Sequence, residues 1–235
     1  MKLNSLFVRL GIAAGLAVSL AAVRPAAQQT QPKMPQPGVP QVMTLEGEFI
    51  RIAYNNEGYV TMGYRVANEN QGKDWMLLEV GMTLREGQPM YKLPRTAISI
   101  DTPDGKKIPL ATNAQYLNND LRALEMRAGT NPDQIGYFPP NASDQACRIS
   151  MFQPTGSAAR AFDDVELSSN RACMGRLYFN VPGGIKLGQH FLNVQFKNSV
   201  VRVPFKIMTK DEEKALSKSW KDIKKQVDEA FKKGK

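Results

Sequence analysis

The sequence has one histidine and two cysteines in 235 residues. A single histidine, His190, excludes histidine-based metal sites and proton relays and removes most catalytic triads. His190 stands between "LGQ" and "FLNV", where the pattern predicts the start of a β-strand rather than a catalyst. The chain also carries no recognisable cofactor or catalytic motif. We therefore predict a protein that is not an enzyme, with no catalytic residue, no resident metal and no cofactor.

Long apolar runs are scarce as well. The run "LGIAAGLAVSLAAV", residues 10–23, is shorter than the roughly 20 residues that span a bilayer. It follows two basic residues and precedes small ones, which is typical of a secretory signal peptide. We expect residues 1–27 to be a cleaved signal peptide and the protein to be periplasmic or secreted. An uncleaved N-terminal anchor is the alternative, because Arg24 and Pro25 make the pattern of the cleavage site less distinct.

The next stretch, "QQTQPKMPQPGVPQ", is rich in glutamine and proline and poor in apolar residues. Such a composition cannot bury a core, so residues 28–41 are predicted to be a linker. Residues 42–208 have the length of one domain, and residues 209–235 form a separate amphipathic stretch. Two small domains instead of one remain an alternative.

The formal net charge is +9, and three of the positive charges lie in the predicted signal peptide. From Thr209 onward there are nine lysines and six acidic residues, so much of the remaining excess is local. An excess of positive charge is typical of proteins that bind nucleic acid or an anionic membrane. Because no aromatic residues are interleaved on a basic patch, we expect a lysine-solvated surface and no nucleic-acid partner.

The two cysteines, Cys147 and Cys173, enclose a stretch rich in Gly, Ser, Ala and Asp. In an oxidising compartment such a pair predicts a structural disulfide, which restricts the unfolded chain by about 3.5 kcal/mol. A redox pair is the alternative, but it usually needs C-x-x-C spacing. We expect a long surface excursion closed at its base by the disulfide.

Most of the central sequence alternates with a period of two, which indicates half-buried β-strands. The turns Asn55–Gly58 and Thr102–Gly105 separate pairs of strands. Pro204 indicates that the last strand lies at a sheet edge. The residues predicted to face the core from the early strands are Val60, Met62, Tyr64, Val66, Leu78, Val80, Met82 and Leu84, with Glu79 and Thr83 opposite. Seven to nine such strands favour a β-sandwich.

One insertion, "NAQYLNNDLRALEMRAG", has leucines at helical spacing, and Gly129 can end the helix. The sequence therefore predicts a mainly β protein, an immunoglobulin-like β-sandwich with a helical insertion and a long C-terminal amphipathic helix.

Four segments of residues 44–208 carry a resemblance: "NNEG", "VANENQGKDWMLLEV", "TPDGKKIPL" and "LYFNVPGGIKLGQHFLNV". Their order resembles that of the telokin-like immunoglobulin-fold domains of bacterial exported proteins. The resemblance implies a non-enzymatic binding or assembly domain and supplies no catalytic residues. The cysteine excursion, the helical insertion and the terminal helix depart from that pattern.

Weaker candidates for ligand sites are also present. The acidic stretch Asp163, Asp164 and Glu166 could hold calcium, although it lacks EF-hand spacing. A carbohydrate-binding module would use exposed aromatics, for which the candidates are Tyr59, Trp75, Tyr91 and Phe191. A cryptic hydrolase with carboxylates from distant strands is the other alternative function.

The terminal stretch "TKDEEKALSKSWKDIKKQVDEAFKKGK" begins with a capping box formed by Thr209 and Glu212. Its apolar residues follow one helix face: Leu216, Trp220, Ile223, Val227 and Phe231. This face packs on the domain or projects into solvent, or else it binds a partner protein or an anionic membrane surface. We predict an exported accessory subunit that associates with an envelope protein, with the apolar face as the partner-binding site.

Overall fold

The computed structural model describes residues 41–45, 47–142, 146–154 and 158–233. The predicted signal peptide and all of the predicted linker except Gln41 lie outside these residues. The described chain is mainly β and ends in a long helix. The strands are β1 (Val42–Leu45), β2 (Ile50–Tyr54), β3 (Gly58–Gly63), β4 (Trp75–Leu84), β5 (Tyr91–Pro94), β6 (Ile98–Asp101), β7 (Lys107–Pro109), β8 (Ala146–Arg148), β9 (Asp164–Leu167), β10 (Ala172–Asn180), β11 (Gly188–Gln195) and β12 (Val200–Ile207). The helices are α1 (Arg65–Glu69), α2 (Asn113–Leu117), α3 (Arg122–Thr130) and α4 (Lys210–Lys233).

The strands form three sheets. The first has six strands in the order β1-β2-β3-β4-β10-β8, and only β8 runs parallel to its neighbour. The second has four antiparallel strands in the order β12-β11-β6-β7, and the third contains β5 and β9. The turns predicted at Asn55–Gly58 and Thr102–Gly105 connect β2 to β3 and β6 to β7. The prediction from Pro204 is confirmed, because β12 lies at a sheet edge.

One hydrophobic core receives side chains from both larger sheets. Strand β4 places Leu78, Val80 and Met82 in that core, as the period of two predicted. Strand β12 contacts β2 and β3 on one side. On the other side, the N–H of Ala111, after β7, donates to the carbonyl of Tyr178 in β10 at 3.0 Å. The two sheets are thus joined around a shared interior.

The outer face of the first sheet is also covered, which the alternation alone did not predict. Residues 131–139, which we call the strap, cross β3 and β4. A Cβ placed on Gly63 would lie 2.3 Å from Cβ of Asp133, and one on Gly81 would lie 2.3 Å from the ring of Phe138. Glycine at these two strand positions therefore allows the strap to approach the sheet backbone closely.

The helical insertion differs from the prediction of one helix ended by Gly129. It forms α2 and α3, separated at Asn118–Leu121, and Gly129 lies inside α3. Thr112 caps α2 in a reciprocal capping box with Gln115, so a local capping signal starts a short helix there. The helical leucine spacing is only partly used, because Leu124 is buried but Leu117 is 50% exposed.

The predicted disulfide between Cys147 and Cys173 is present. The two residues are direct partners in the parallel pairing of β8 with β10. The prediction of a surface excursion between them was wrong in part, since this segment supplies β9 and several core residues: Met151, Phe152, Val165 and Leu167. The buried Arg95 holds the segment in place, because its guanidinium donates to the carbonyls of Ala111 at 2.6 Å and of Met151. The enclosed segment is therefore part of the core.

Candidate functional site: the terminal helix and its attachment

Helix α4 begins with the predicted capping box. The N–H of Thr209 donates to the carboxylate of Glu212 at 3.0 Å, and the N–H of Glu212 donates back to the Thr209 hydroxyl at 3.3 Å. A hydrogen bond from Lys206, the largest cause, and one from the Thr209 N–H lower the pKa of Glu212. The negative charge of the first turn also suits the helix dipole. The start of the helix is therefore fixed by local chemistry.

The first half of α4 is attached to the domain. The buried side chain of Asn68 in α1 accepts from the N–H of Met208 at 2.7 Å and donates to Glu213 at 3.3 Å. Ser217 donates to the carboxylate of Glu48 at 3.2 Å. Leu216 packs against the core. These contacts fix the direction in which the helix leaves the domain.

Beyond Trp220 the helix leaves the domain surface. Trp220 is partly buried, whereas residues 221–226 are all exposed. Ile223 is 48% exposed although it continues the apolar stripe of Leu216 and Trp220. The side chains of Val227 and Phe231 lie outside the described part of the structure. Among the described side chains, the stripe therefore divides into an attached part, Leu216 and Trp220, and one exposed residue, Ile223. We call residues 221–233 the distal half.

A small cavity of about 230 Å³ opens near the start of the helix. It lies between β1 and β2 on one side and β11 and β12 on the other, with Met43, Pro204 and Lys206 among its lining residues. Further along β12, the Gln41 amide donates to the carbonyl of Arg202 at 2.6 Å, and its oxygen accepts from the Arg202 N–H at 2.9 Å. A glutamine side chain thus occupies the edge of β12 as a neighbouring strand would.

The lone histidine is placed in the core, on β11 as predicted. His190 has no exposed surface, lies beside Phe205 with a ring separation of 5.3 Å, and contacts the carbonyl of Gly188 through Nδ1 at 3.1 Å. Burial lowers the pKa of His190. Its Nε2 has no hydrogen-bond partner among the described residues. The imidazole of His190 is therefore enclosed in the core, where it packs on Phe205.

The acidic stretch does not converge on one point. Asp163 pairs with Arg95 at 3.1 Å, Asp164 pairs with Lys92 at 3.9 Å, and Glu166 pairs with Arg171 at 2.5 Å. Within the described ranges, no group of three or more His, Cys, Asp or Glu residues could hold a metal ion. The three carboxylates therefore serve three separate ion pairs.

The four aromatic candidates for a carbohydrate site are distributed over all three sheets. Tyr59 stacks on Tyr54 across β2 and β3 at 5.2 Å. Trp75 begins β4, and Tyr91 begins β5 and accepts from the N–H of Lys197 at 3.2 Å. Phe191 lies under the guanidinium of Arg202. The structure does not bring these four rings together into one platform.

A buried carboxylate pair under the strap was missed by the sequence analysis. Glu79 accepts from the N–H of Asp133 at 2.5 Å and pairs with Arg176 at 3.5 Å. Asp133 in turn accepts from Arg65, through its N–H at 3.0 Å and its Nε at 3.3 Å. Burial, the largest cause, raises the pKa of both carboxyl groups.

Each carboxylate of that pair is occupied by a backbone N–H and a guanidinium, so the pair fastens the strap to the sheet. The sequence signal that could have located it is the pair of glycines, Gly63 and Gly81, at outward-facing strand positions. Glycine within a strand often marks close approach of another backbone.

None of the helices in the described chain is long and apolar enough to cross a membrane. Comparison of the chain with models of protein families, with curated proteins and with solved structures found no match.

Proposed function

We propose that the protein is an exported, non-catalytic accessory subunit that binds another envelope protein through the distal half of α4. The observation that carries this proposal is the exposure of Ile223 on a stripe that is anchored to the core at Leu216. A helix that stayed on its own domain would bury the whole stripe. An amphipathic helix whose apolar face projects from a fixed base suits docking into the groove of a partner.

The charges of the distal half indicate the chemistry of that groove. Among residues 221–226, which are all exposed, there are three lysines and one aspartate. A partner groove with an apolar floor and an acidic rim would complement both faces of the helix. We therefore propose a protein groove of this kind as the occupant.

Export is supported by two observations. The sequence has the pattern of a signal peptide, and the disulfide between Cys147 and Cys173 fits an oxidising compartment. We propose the periplasm or the cell exterior as its location. The two larger sheets around a shared core are compatible with an immunoglobulin-like sandwich of the telokin-like kind, and we propose this fold on the sequence resemblance.

The test is affinity capture of the protein from its native envelope, followed by native mass spectrometry of the recovered complexes. Two variants are compared with the wild type: a chain that ends at Trp220, and Ile223→Ser. The shortened chain keeps Glu213, Leu216 and Ser217, so its attachment to the domain is retained. The matched control is Lys225→Ser, which makes the same replacement on the opposite, polar face of the helix.

The proposal expects one partner at fixed stoichiometry with the wild type and with Lys225→Ser, and its loss with both other variants. Recovery of the same complex with the chain ending at Trp220 would refute it. Binding of wild type to vesicles of anionic lipid, lost in the same two variants and with no protein partner, would identify a membrane as the occupant and also refute it.

A further inference from the structure

The cavity of about 230 Å³ lies between the two larger sheets, with β1 and β2 on one wall and β11 and β12 on the other. Four of its eight lining residues are apolar: Met43, Ile52, Pro204 and Phe205. An apolar cavity of about 150 Å³ is large enough to hold a benzene molecule. This cavity therefore has room for a small ring or a short chain together with one polar group attached to it.

Arg51 lines the cavity from β2 and brings a positive charge to it. Arg51 is the direct partner of Met62 in β3, and Met62 has no exposed surface. Directly paired residues lie on the same face of an antiparallel sheet, so Arg51 lies on the core side of the first sheet. Its guanidinium carbon is 5.0 Å from the ring centre of the buried Tyr64. The wall of the cavity thus contains a cation held among core residues.

The hydrogen bonds of Arg51 all go to uncharged groups. Its Nη1 donates to the carbonyls of Ile50 at 2.8 Å, Gly47 at 3.1 Å and Glu48 at 3.3 Å, and its Nη2 donates to the Tyr64 hydroxyl at 2.6 Å. Among the described residues, Arg51 forms no ion pair with a carboxylate. Charged groups inside proteins are normally paired with an opposite charge. The guanidinium is therefore fixed in place but lacks a negative partner within the described chain.

The guanidinium also keeps a donor for a ligand. Its Nε donates to none of the described residues, and it is not among the fully buried nitrogen atoms that lack a partner. The Nε–H of Arg51 therefore remains accessible. A guanidinium that is already held in one orientation loses little conformational freedom when it binds a further group.

The charge of the lining favours one negative group. The charged residues that line the cavity are Arg51 and Lys206, and none of the eight lining residues is acidic. The ammonium group of Lys206 pairs with Glu212 at 2.6 Å, so Arg51 supplies the single unpaired positive charge. This charge matches a carboxylate better than a phosphate monoester, which carries nearly two negative charges.

We propose that the cavity binds a small carboxylic acid, with its apolar ring or chain among the apolar lining residues and its carboxylate on Arg51. Hydrogen bonds from a guanidinium to a carboxylate are charge-assisted and about twice as strong as those between neutral groups. A few polar groups in a mostly apolar pocket are the usual arrangement of a site for a small molecule. The site lies between the sheets and does not involve the distal half of α4.

The test is NMR spectroscopy of the methyl-labelled protein, in which the signals of Met43 and Ile52 are followed. Sodium benzoate, sodium hexanoate and uncharged benzyl alcohol are titrated separately, with sodium chloride keeping the ionic strength constant. We expect both signals to shift and saturate with at least one of the two acids. Benzyl alcohol should bind about tenfold more weakly than benzoate or hexanoate, because it lacks the charge that strengthens the hydrogen bond to Arg51.

Two variants and a control decide whether the cavity is the site. Arg51→Gln should weaken binding of the acid about tenfold and leave the affinity for benzyl alcohol unchanged. Because Arg51 also holds three carbonyls, a second variant, Met43→Trp, keeps the guanidinium and narrows the mouth of the cavity, where Met43 is 56% exposed. It should weaken binding of the acid as well. The control is Met90→Trp, since Met90 is 60% exposed and does not line the cavity.

The proposal is supported if the acid saturates, binds more tightly than benzyl alcohol, and loses affinity in Met43→Trp but not in Met90→Trp. Shifts that rise linearly with both acids, or equal affinities for acid and alcohol, would overturn it. An acid affinity that Met43→Trp or a folded Arg51→Gln leaves unchanged would overturn it too.

Discussion

The side-chain oxygen of Asn68 accepts a hydrogen bond from the backbone N–H of Met208 at 2.7 Å, and both residues are buried. The same side chain donates to Glu213 in the first turns of α4. One asparagine therefore links the short helix α1 to the point where β12 passes into α4. It connects the body of the domain to the first turns of the terminal helix.

Asn68→Ala should destabilise the protein by about 1–3 kcal/mol, because the buried N–H of Met208 is left without its acceptor. Urea unfolding followed by circular dichroism measures this loss. The control is Asn118→Ala, since Asn118 is exposed and its replacement should change the unfolding free energy little. Equal stability of the two variants would show that Asn68 does not hold the junction.

Gly63→Ala should loosen the strap, because the added Cβ would lie 2.3 Å from Cβ of Asp133. Relief of that overlap requires the strap or the strand to shift, which typically costs about 1–3 kcal/mol. Differential scanning calorimetry should show a lower midpoint, and amides of residues 131–139 should exchange faster. Gly129→Ala is the control, since a Cβ there meets nothing within 4 Å and alanine in a helix stabilises it. A midpoint unchanged by Gly63→Ala would contradict close packing of the strap.

The carboxyl of Glu79 should make stability fall as the pH rises. Burial raises the pKa of Glu79 in the folded protein, so the folded state keeps its proton above the pH at which the unfolded chain loses it. Between the ordinary value of about 4.3 and the raised folded pKa, the folded state binds more protons and loses stability as pH increases.

Glu79→Gln removes this titration while keeping an oxygen that can accept from the N–H of Asp133. The unfolding free energy of the wild type relative to the variant should therefore decline as the pH rises from about 4 to the raised folded pKa. Urea unfolding of both proteins across this range measures the difference. Because Asp133 lies against Glu79 and interacts with its charge, the difference reports the titration of Glu79 together with its coupling to Asp133. If the difference in unfolding free energy between the two proteins does not vary with pH, the raised pKa of Glu79 is refuted.

The titration of His190 should make the protein less stable as the pH falls. Burial lowers its pKa in the folded protein, so the unfolded chain takes up a proton below about pH 6.5 while the buried ring stays neutral. Stability is lost as the pH falls from about 6.5 toward the folded pKa. The unfolding free energy of the wild type minus that of His190→Leu should be smaller at pH 5 than at pH 7. Parallel pH profiles of the two proteins would contradict a buried neutral imidazole.

Local signals predicted much of the fold. Asn55–Gly58 and Thr102–Gly105 form the turns that their residue types require, and the capping box at Thr209 starts α4. The alternation of apolar and polar residues predicted that Leu78, Val80 and Met82 face the core, because side chains of a strand point to opposite faces in turn. The disulfide followed from having two cysteines and a predicted oxidising compartment. Each of these features is encoded within a few neighbouring residues or in composition.

Features that depend on distant segments were not predictable in the same way. The pairing of Glu79 with Asp133 joins residues 54 positions apart, and it buries Glu79 on the sheet face opposite the core. The carbonyls that hold Arg95 come from Ala111 and from inside the cysteine excursion, a segment whose small and polar residues resemble a loop. In both cases a charged side chain was buried because a remote backbone supplied its partners.

We propose that the distal half of α4 is a docking element that projects from an anchored base. The most direct measurement is amide hydrogen exchange of residues 210–233, in the isolated protein and in the complex recovered from the envelope. In the isolated protein we expect slow exchange up to Trp220 and fast exchange beyond it, and in the complex we expect residues 221–233 to gain protection. Uniform protection along α4 in the isolated protein, or no gain in the complex, would contradict it.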